Sequence, residues 1–526
     1  MHTRRFARGA VASPHHLASA AGQAVLVDGG NAVDAAVAAN LVLAVVTPYH
    51  CGVGGDLLAV VWDGRAHGVV SVGAAPAGAT PEAVRAAIAA GHGSATSLPG
   101  TAGMPTHGAL PVTVPGAAAG WAHLLERWGT RSFGDLAAAA SRYAEDGFPP
   151  SRSAVELTRR AHPLLVDQPG WEATYGPLAT DAWFRQPALA RTLRALADDG
   201  PDALYRGPVG ASVVEVLQAH GSTMTADDLA DHRVAEVAPL VGRFRDREVL
   251  ELPPPTQGVT ALTALGILDR LPPRGDDEVA ALHHEIEAVR LALLDRQDHL
   301  GDPRAMRTSP GELLDPARLD RLAAGIGQRA ADLPLARPAP GGTAYLCAGD
   351  GDGLLISLIQ SNFVGYGSGV VVPGWGFGLH DRGAHLKLDV AADDPDVLAP
   401  GRRPLHTLIP AMTLRDGEPE LVFGTMGGDG QAQLHAQLLR RWVDAEEDLQ
   451  AGLDAPRFVV DLADGAVVAE PRVAAPVMEA LRARGHDVRL VGPYEHGHGH
   501  AHALRVDGRG YAGASDPRCE GAVTGW

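Results

Sequence analysis

The sequence predicts a layered α/β fold in which helices pack on antiparallel sheet, and three observations carry that prediction. The chain has 526 residues, 46% hydrophobic and 20% charged, enough for one large layered unit or several domains. The stretch "NAVDAAVAANLVLAVV" (31–46) is apolar on nearly every face of a helix, as a helix buried all round must be. Next, "LLAVVW" runs into Asp63-Gly64 and then "GVVSV", the pattern of a hairpin with a two-residue turn. A buried helix beside a hairpin needs sheet to cover it, and that arrangement gives the layers.

Each further element has a local reason. Asn31 is placed to cap the buried helix and Pro48 to end it, with "CGVGG" turning into the first strand. "GAAAGWAHLLERWG" and "SFGDLAAAASRYAEDG" show helical periodicity that stops at Gly129 and Gly147. Thr225, three residues before Asp228, starts a helix in the manner of a capping box. "ALHHEIEAVRLALLDRQDHLGDP" predicts a long amphipathic helix closed by Gly301. Its His283 and His284 read as ordinary helix residues, because no second histidine follows at the spacing of a zinc-protease motif. Residues 332–342 hold three prolines and two glycines and predict a linker. Beyond it, "AYLCA", "LLISLIQ" and "GVVV" are strand-like, "AQLHAQLLRRWVDA" is helical, and two more strands are expected near 457–469.

Charge narrows the function classes. The chain carries 44 Lys+Arg against 62 Asp+Glu, a net charge of −18, which argues against nucleic-acid or anionic-membrane partners. The longest apolar run, Ala35–Val46, is too short to span a bilayer. No apolar segment follows the basic N-terminus, so no signal peptide is expected and a cytoplasmic location is. The only lysine, Lys387, is the only candidate for Schiff-base chemistry. Cys51, Cys347 and Cys519 encode neither a disulfide framework nor a zinc knuckle. His496, His498, His500 and His502 stand at a spacing of two, so a strand would project them from one face. With no carboxylate or cysteine cluster to complete a site, no metal is expected.

The chemistry centres on Thr343, alone behind Gly341-Gly342 at the end of the linker. It could simply open a strand. It could also be a nucleophile, because a free N-terminal threonine has its own α-amine to accept the hydroxyl proton near neutral pH. To become N-terminal, its hydroxyl must attack the Gly342 carbonyl and shift the acyl group from nitrogen to oxygen, leaving water to hydrolyse the ester. A glycine at 342 leaves room for that attack. A Gly-Gly turn such as Gly427-Gly428 can offer backbone N–H groups to the developing oxyanion.

These residues sit within ordered matches over nearly the whole chain: "GGNAVDAAVAANLVLAVV", "GVGGDLLAVVWDG", "TVPGAAAGW", "LYRGPVG", "ELPPPTQGV", "DRQDHLGDP", "SNFVGYGSGVVVPGWGFGL", "APGRRPLHTLIPAM", "GTMGGDGQ", "LDAPRF" and "GASDPRCEGAVTGW". By them the sequence resembles the γ-glutamyltransferase family of N-terminal-nucleophile hydrolases. The resemblance implies a four-layer αββα sandwich and no cofactor. It also implies self-cleavage between Gly342 and Thr343 into a large portion (1–342) and a small one (343–526) that stay together as a heterodimer or a higher oligomer, acting on a small molecule. It places the nucleophile at Thr343, a second hydroxyl beside it at Ser361, and the oxyanion-hole pair at Gly427 and Gly428.

Departures from the family pattern bear on the substrate. The arginine that holds a γ-glutamyl carboxylate is absent from "SVGAAPAGA", where Val72 to Ala75 stand instead. The family's ammonium-binding Asp falls at His385 and its Ser pair at His406 and Thr407. An expected Asn falls at Phe363, with Asn362 one position early. Losing both charged partners of an amino-acid head group implies a different substrate, with Arg382 and His385 available to an acid or carbonyl placed differently. The leading expectation is amide cleavage through an acyl-enzyme. One alternative is hydrolysis of a C–C bond beside a carbonyl in actinobacterial natural-product (antibiotic) biosynthesis, by the same Thr343. Another is a homologue that never self-cleaves and is not an enzyme.

Overall fold

The computed structural model describes residues 2–94, 96–98, 103–273, 277–335, 342–508 and 510–526. Of the predicted linker 332–342, residues 336–341 lie outside the described residues. Two seven-stranded sheets lie face to face, each backed by helices. The first runs, edge to edge, Ala522–Gly525, Ala10–Ser13, Gly342–Gly349, Leu355–Phe363, Asp56–Trp62, Ala66–Ser71 and Ala235–Val237. The second runs Arg4–Phe6, Gly510–Ser515, Ala501–Asp507, Glu418–Thr425, Ala411–Arg415, Arg247–Glu251 and Leu240–Phe244. Every neighbouring pair in both is antiparallel. Residues on either side of Gly342 therefore contribute to both sheets.

Side-chain alternation along the strands makes the layers. Leu57, Ala59 and Val61 join the core under the helices, while Leu58 and Val60 join the core between the sheets. Likewise Ala344, Leu346 and Ala348 face the helical side, and Tyr345 and Cys347 the other sheet. On the second sheet, Leu421 and Phe423 face the helices Gly258–Arg270, Glu278–His299 and Gly430–Leu439, and Val422 faces inward. The four-layer αββα arrangement follows.

The buried helix is Ala32–Val46, and every one of its residues is buried. The Asn31 side chain accepts from the Asp34 N–H, and the Asp34 carboxylate accepts from the Asn31 N–H, a reciprocal cap that contributes about 1 kcal/mol. Gly129 and Gly147 follow helices Ala117–Trp128 and Phe133–Asp146, and the Thr225–Asp228 capping box is present. Among the described residues, no helix is long and apolar enough to cross a membrane.

Three expectations need correction. Trp62 pairs with Ala66, so the hairpin loop has three residues, with Gly64 at φ 102°. The helix Glu278–His299 is buried on most faces rather than one, because its charged residues find partners: Glu285 accepts from Arg440 and Glu287 from the Ala331 N–H across the packing, and Glu287 also from Arg290 one turn on. "GVVV" (369–372) forms only an isolated bridge, Val371 to Gly378. Glycines 369, 374 and 376 all take positive φ and turn the chain out of any strand.

Candidate active site

Thr343 lies at a break in pairing between two central strands: Gly342 opposes Phe363 and Ala344 opposes Gln360, so Thr343 faces a bulge formed by Ser361 and Asn362. It is buried, and its Oγ1–H donates to Ser361 Oγ at 3.2 Å. Ser361 Oγ–H in turn donates to the Gly342 carbonyl at 2.5 Å, and Ser361 Oγ accepts from the Phe363 N–H at 2.8 Å. One serine hydroxyl thus touches the threonine hydroxyl and the carbonyl of the peptide bond before it. A Cβ at Gly342 would lie 2.9 Å from the Tyr49 carbonyl oxygen and 3.0 Å from the Gly365 nitrogen, too close for any side chain.

The strand that ends at Thr425 crosses over this one, and Gly424 lies under the Tyr345 ring, where a side chain would not fit. Past it, Gly427 (φ 146°) and Gly428 (φ 54°) take conformations that L side chains rarely adopt. Among the described residues, neither of their N–H groups has an acceptor. Gln257 braces the turn: its Nε2 donates to the Gly428 and Thr407 carbonyls, and its Oε1 accepts from Arg296, which also pairs with Asp429.

A charged cluster adjoins Ser361. Phe363 has φ 75°, rare for a bulky residue, and its ring lies 3.8 Å below the Arg382 guanidinium and 5.0 Å from the His385 ring. Arg382 is 1% exposed and donates to Thr407 Oγ1 at 3.4 Å. Among the described residues it makes no ion pair, although the carboxyl groups of Asp56, Asp381 and Asp429 lie near enough to favour its charge. Burial lowers its guanidinium to about 10, with those carboxylates opposing, so it stays a cation at neutral pH. Asp56 sits opposite Ser361 in the strand ladder, and its Oδ1 accepts from the Gly73 and Gly116 N–H groups. Burial pushes its carboxyl up to about 7, against Arg382 and those two amides. Asp56 Oδ2 approaches His380 Nδ1 and His406 Nε2 at 3.5 Å each. Burial lowers His380 to about 3 and His406 well below the usual histidine range, so both are neutral imidazoles and these approaches are not ion pairs.

Besides the Gly427-Gly428 turn, most of the sequence-derived residues fall into two groups. Thr343, Gly342 and Ser361 meet directly; Arg382 and Thr407 are bonded to each other, with Phe363 and His385 stacked beside them, and His406 reaches them through Asp56. Asn362 turns toward the preceding loop: its N–H donates to the His50 carbonyl and its Nδ2 to that of Pro48. Lys387 is buried and held by both oxygens of Asp394 at 2.7 and 2.9 Å, with Asp396 at 3.6 Å. Sequence reasoning missed Asp56, Gln257 and His380. An acid opening the otherwise apolar run "DLLAVVW" was the available signal for Asp56; Gln257 and His380 carried none.

The histidine tract does not lie along one strand face. His496 and His498 are in a 3₁₀ turn, His500 precedes the strand, and only His502 is in it, bonded to Ser515.

A sequence model of the family described as gamma-glutamyltranspeptidase matches residues 18–526. The chain belongs to this family. The oxamate amidohydrolase proenzyme of Klebsiella pneumoniae is 36% identical over 98% of both chains, and the glutathione hydrolase-like YwrD proenzyme of Bacillus subtilis is 34% identical over 98% of both. Cephalosporin acylase from Bacillus halodurans superposes with a TM-score of 0.92 at 33% identity, covering 100% of this chain and 97% of that one. The protein is accordingly a gamma-glutamyltransferase-like enzyme of the N-terminal-nucleophile hydrolase class, and relatives spanning its full length are proenzymes.

Proposed function

We propose that this family member cleaves itself before Thr343 and then hydrolyses the amide of a small acyl donor that carries a carboxylate and no α-ammonium group, of the oxamate type. The observation that carries this reading is Arg382, a fully buried guanidinium with no ion pair among the described residues, seated on Phe363 beside Ser361. A buried unpaired cation is costly unless an anion meets it, and a planar guanidinium suits a carboxylate. The ammonium-binding Asp of γ-glutamyl enzymes is replaced by His385, which takes glutathione-like donors out of reach. The 36% identity to an oxamate amidohydrolase supports the same class.

In processing, Thr343 Oγ attacks the Gly342 carbonyl carbon as its proton passes toward Ser361. The nitrogen takes that proton as the C–N bond breaks and frees the Thr343 amine, and water hydrolyses the resulting ester to a Gly342 carboxylate and the Thr343 hydroxyl. In turnover, the new α-amine accepts the Thr343 hydroxyl proton and the oxygen attacks the amide carbonyl. The Gly427 and Gly428 N–H groups receive the oxyanion. The leaving nitrogen takes the proton and departs as ammonia or an amine, and water then hydrolyses the acyl ester.

The test is a comparison of ammonia release from oxamate with anilide release from a γ-glutamyl anilide, using protein whose small fragment is shown by N-terminal sequencing to begin at Thr343. Preference for the γ-glutamyl donor would overturn the substrate class. An intact chain without activity would overturn the mechanism.

A further inference from the structure

The helix Ala32–Val46 ends in a turn whose third residue is His50, and some 450 residues later the histidine tract returns to the same place. The His50 ring stacks on His496 with centroids 5.5 Å apart, and His500 meets His50 edge-on at 5.8 Å and His496 at 4.3 Å. One ring nitrogen from each of the three lies within 4.8 Å of the other two. His500 Nε2 and His496 Nδ1 are 3.0 Å apart, while the buried Nδ1 atoms of His50 and His500 have no hydrogen-bond partner among the described residues. Three imidazoles gathered in one place, two of them with a buried nitrogen left unsatisfied, are poor packing on their own terms.

We propose that His50, His496 and His500 form a binding site for one divalent transition-metal ion that ties together the two loops flanking Thr343. A tetrahedral ion with bonds of about 2.0–2.1 Å needs ligand nitrogens about 3.3 Å apart, which small ring rotations within this cluster supply. Three imidazoles with no carboxylate among them select zinc, cobalt, nickel or copper over calcium or magnesium, and leave a fourth position for water.

The position gives the site a consequence. The His50 carbonyl accepts from the N–H of Asn362, next to Ser361, and the His500 carbonyl accepts from the N–H of Met426, next to Gly427. An ion joining His50 to His500 therefore clamps the serine side of the Thr343 site to the Gly-Gly side. This site is independent of which substrate is cleaved.

The experiment uses the full chain, stripped with a chelator and titrated with Co²⁺ by visible absorption and with Zn²⁺ by calorimetry, beside His50→Gln, His496→Gln and, as a neighbouring control, His498→Gln. The expected result is one saturable equivalent per chain, with the ligand-field bands of four-coordinate cobalt and a higher thermal midpoint in Zn²⁺. Binding should be weaker by about 100-fold or more in His50→Gln and His496→Gln and unchanged in His498→Gln. His496 is only partly buried, so its variant reports on the ligand even where the His50 variant fails to fold. Absence of saturable uptake by the unaltered chain, or binding within about tenfold of it in His496→Gln, overturns the proposal.

Discussion

Ser361 Oγ stands between the Thr343 hydroxyl and the Gly342 carbonyl, 3.2 Å from Thr343 Oγ1 and 2.5 Å from the Gly342 carbonyl oxygen. Its lone pair faces the Thr343 hydroxyl and its proton the Gly342 carbonyl, so one side chain touches both halves of the self-cleavage proposed above. The bulge at Ser361 and Asn362 adds to this by leaving Thr343 out of the ladder register.

Replacing Thr343 with Ala removes the attacking oxygen, so the chain should stay in one piece and show no turnover. Ser361→Ala keeps the nucleophile but removes its partner, and cleavage should slow by about 10²-fold or more, the usual contribution of a positioned proton-transfer group. Denaturing gels over a time course after purification separate these outcomes. Cleavage of Ser361→Ala at the unaltered rate would remove the serine from the mechanism.

Arg382→Gln should depress kcat/KM for a carboxylate-bearing amide by about 10- to 100-fold, the loss of one hydrogen-bonded charge contact of about 1.5–3 kcal/mol. Arg382→Lys keeps the charge but not the planar fork and should recover part of the loss. Steady-state kinetics on oxamate read this directly. The predicted signature is a change concentrated in KM, because the carboxylate contact is made in the ground state as well as in the transition state.

The Asp56 carboxyl gives a pH dependence with a definite sign. Burial raises it from 3.8 to about 7 in the folded protein. Between those values the folded state therefore holds a proton that the unfolded chain has lost. Stability from this group is full below pH 3.8 and falls as pH rises toward 7, with a slope of at most about 1.4 kcal/mol per unit. Asp56→Asn keeps an acceptor for the Gly73 and Gly116 amides and has nothing to titrate. Denaturant midpoints from pH 4 to 7 should fall less steeply for the variant, and superimposable slopes would contradict the assignment.

How much could be read beforehand depended on sequence distance. The Asn31 cap, the all-apolar helix behind it and the glycine stops at 129 and 147 are local events, and each stands where composition and spacing put it. The resemblance brought Ser361 to Thr343, and the structure joins them by a hydrogen bond. What stayed illegible was assembled by non-local pairing. Asp56, His380 and His406 converge from three separate segments, and no local period announces that His50 meets His496 and His500. The charges of the helix Glu278–His299 suggest a solvent face, whereas Arg440 and the Ala331 N–H supply partners from other segments. The run "GVVV" carried β-propensity, but the φ angles of its neighbouring glycines overrode it.

Gly427 offers the last discriminating change. Its φ of 146° lies where a side chain strains the backbone, and an added Cβ would come within 3.2 Å of Leu434 Cδ1. Gly427→Ala should cost about 1–3 kcal/mol of stability, the usual range for a residue held in a sparsely populated conformation. The turn relieves that strain by rotating, which re-aims the N–H groups of residues 427 and 428. If those groups receive the oxyanion, kcat should fall by about 10²–10³-fold with KM little changed, because the carbonyl oxygen needs them only once it carries charge. A variant that unfolds earlier yet keeps its kcat would show that Gly427 serves the fold alone. Thermal denaturation and steady-state kinetics on the same preparation tell the two apart.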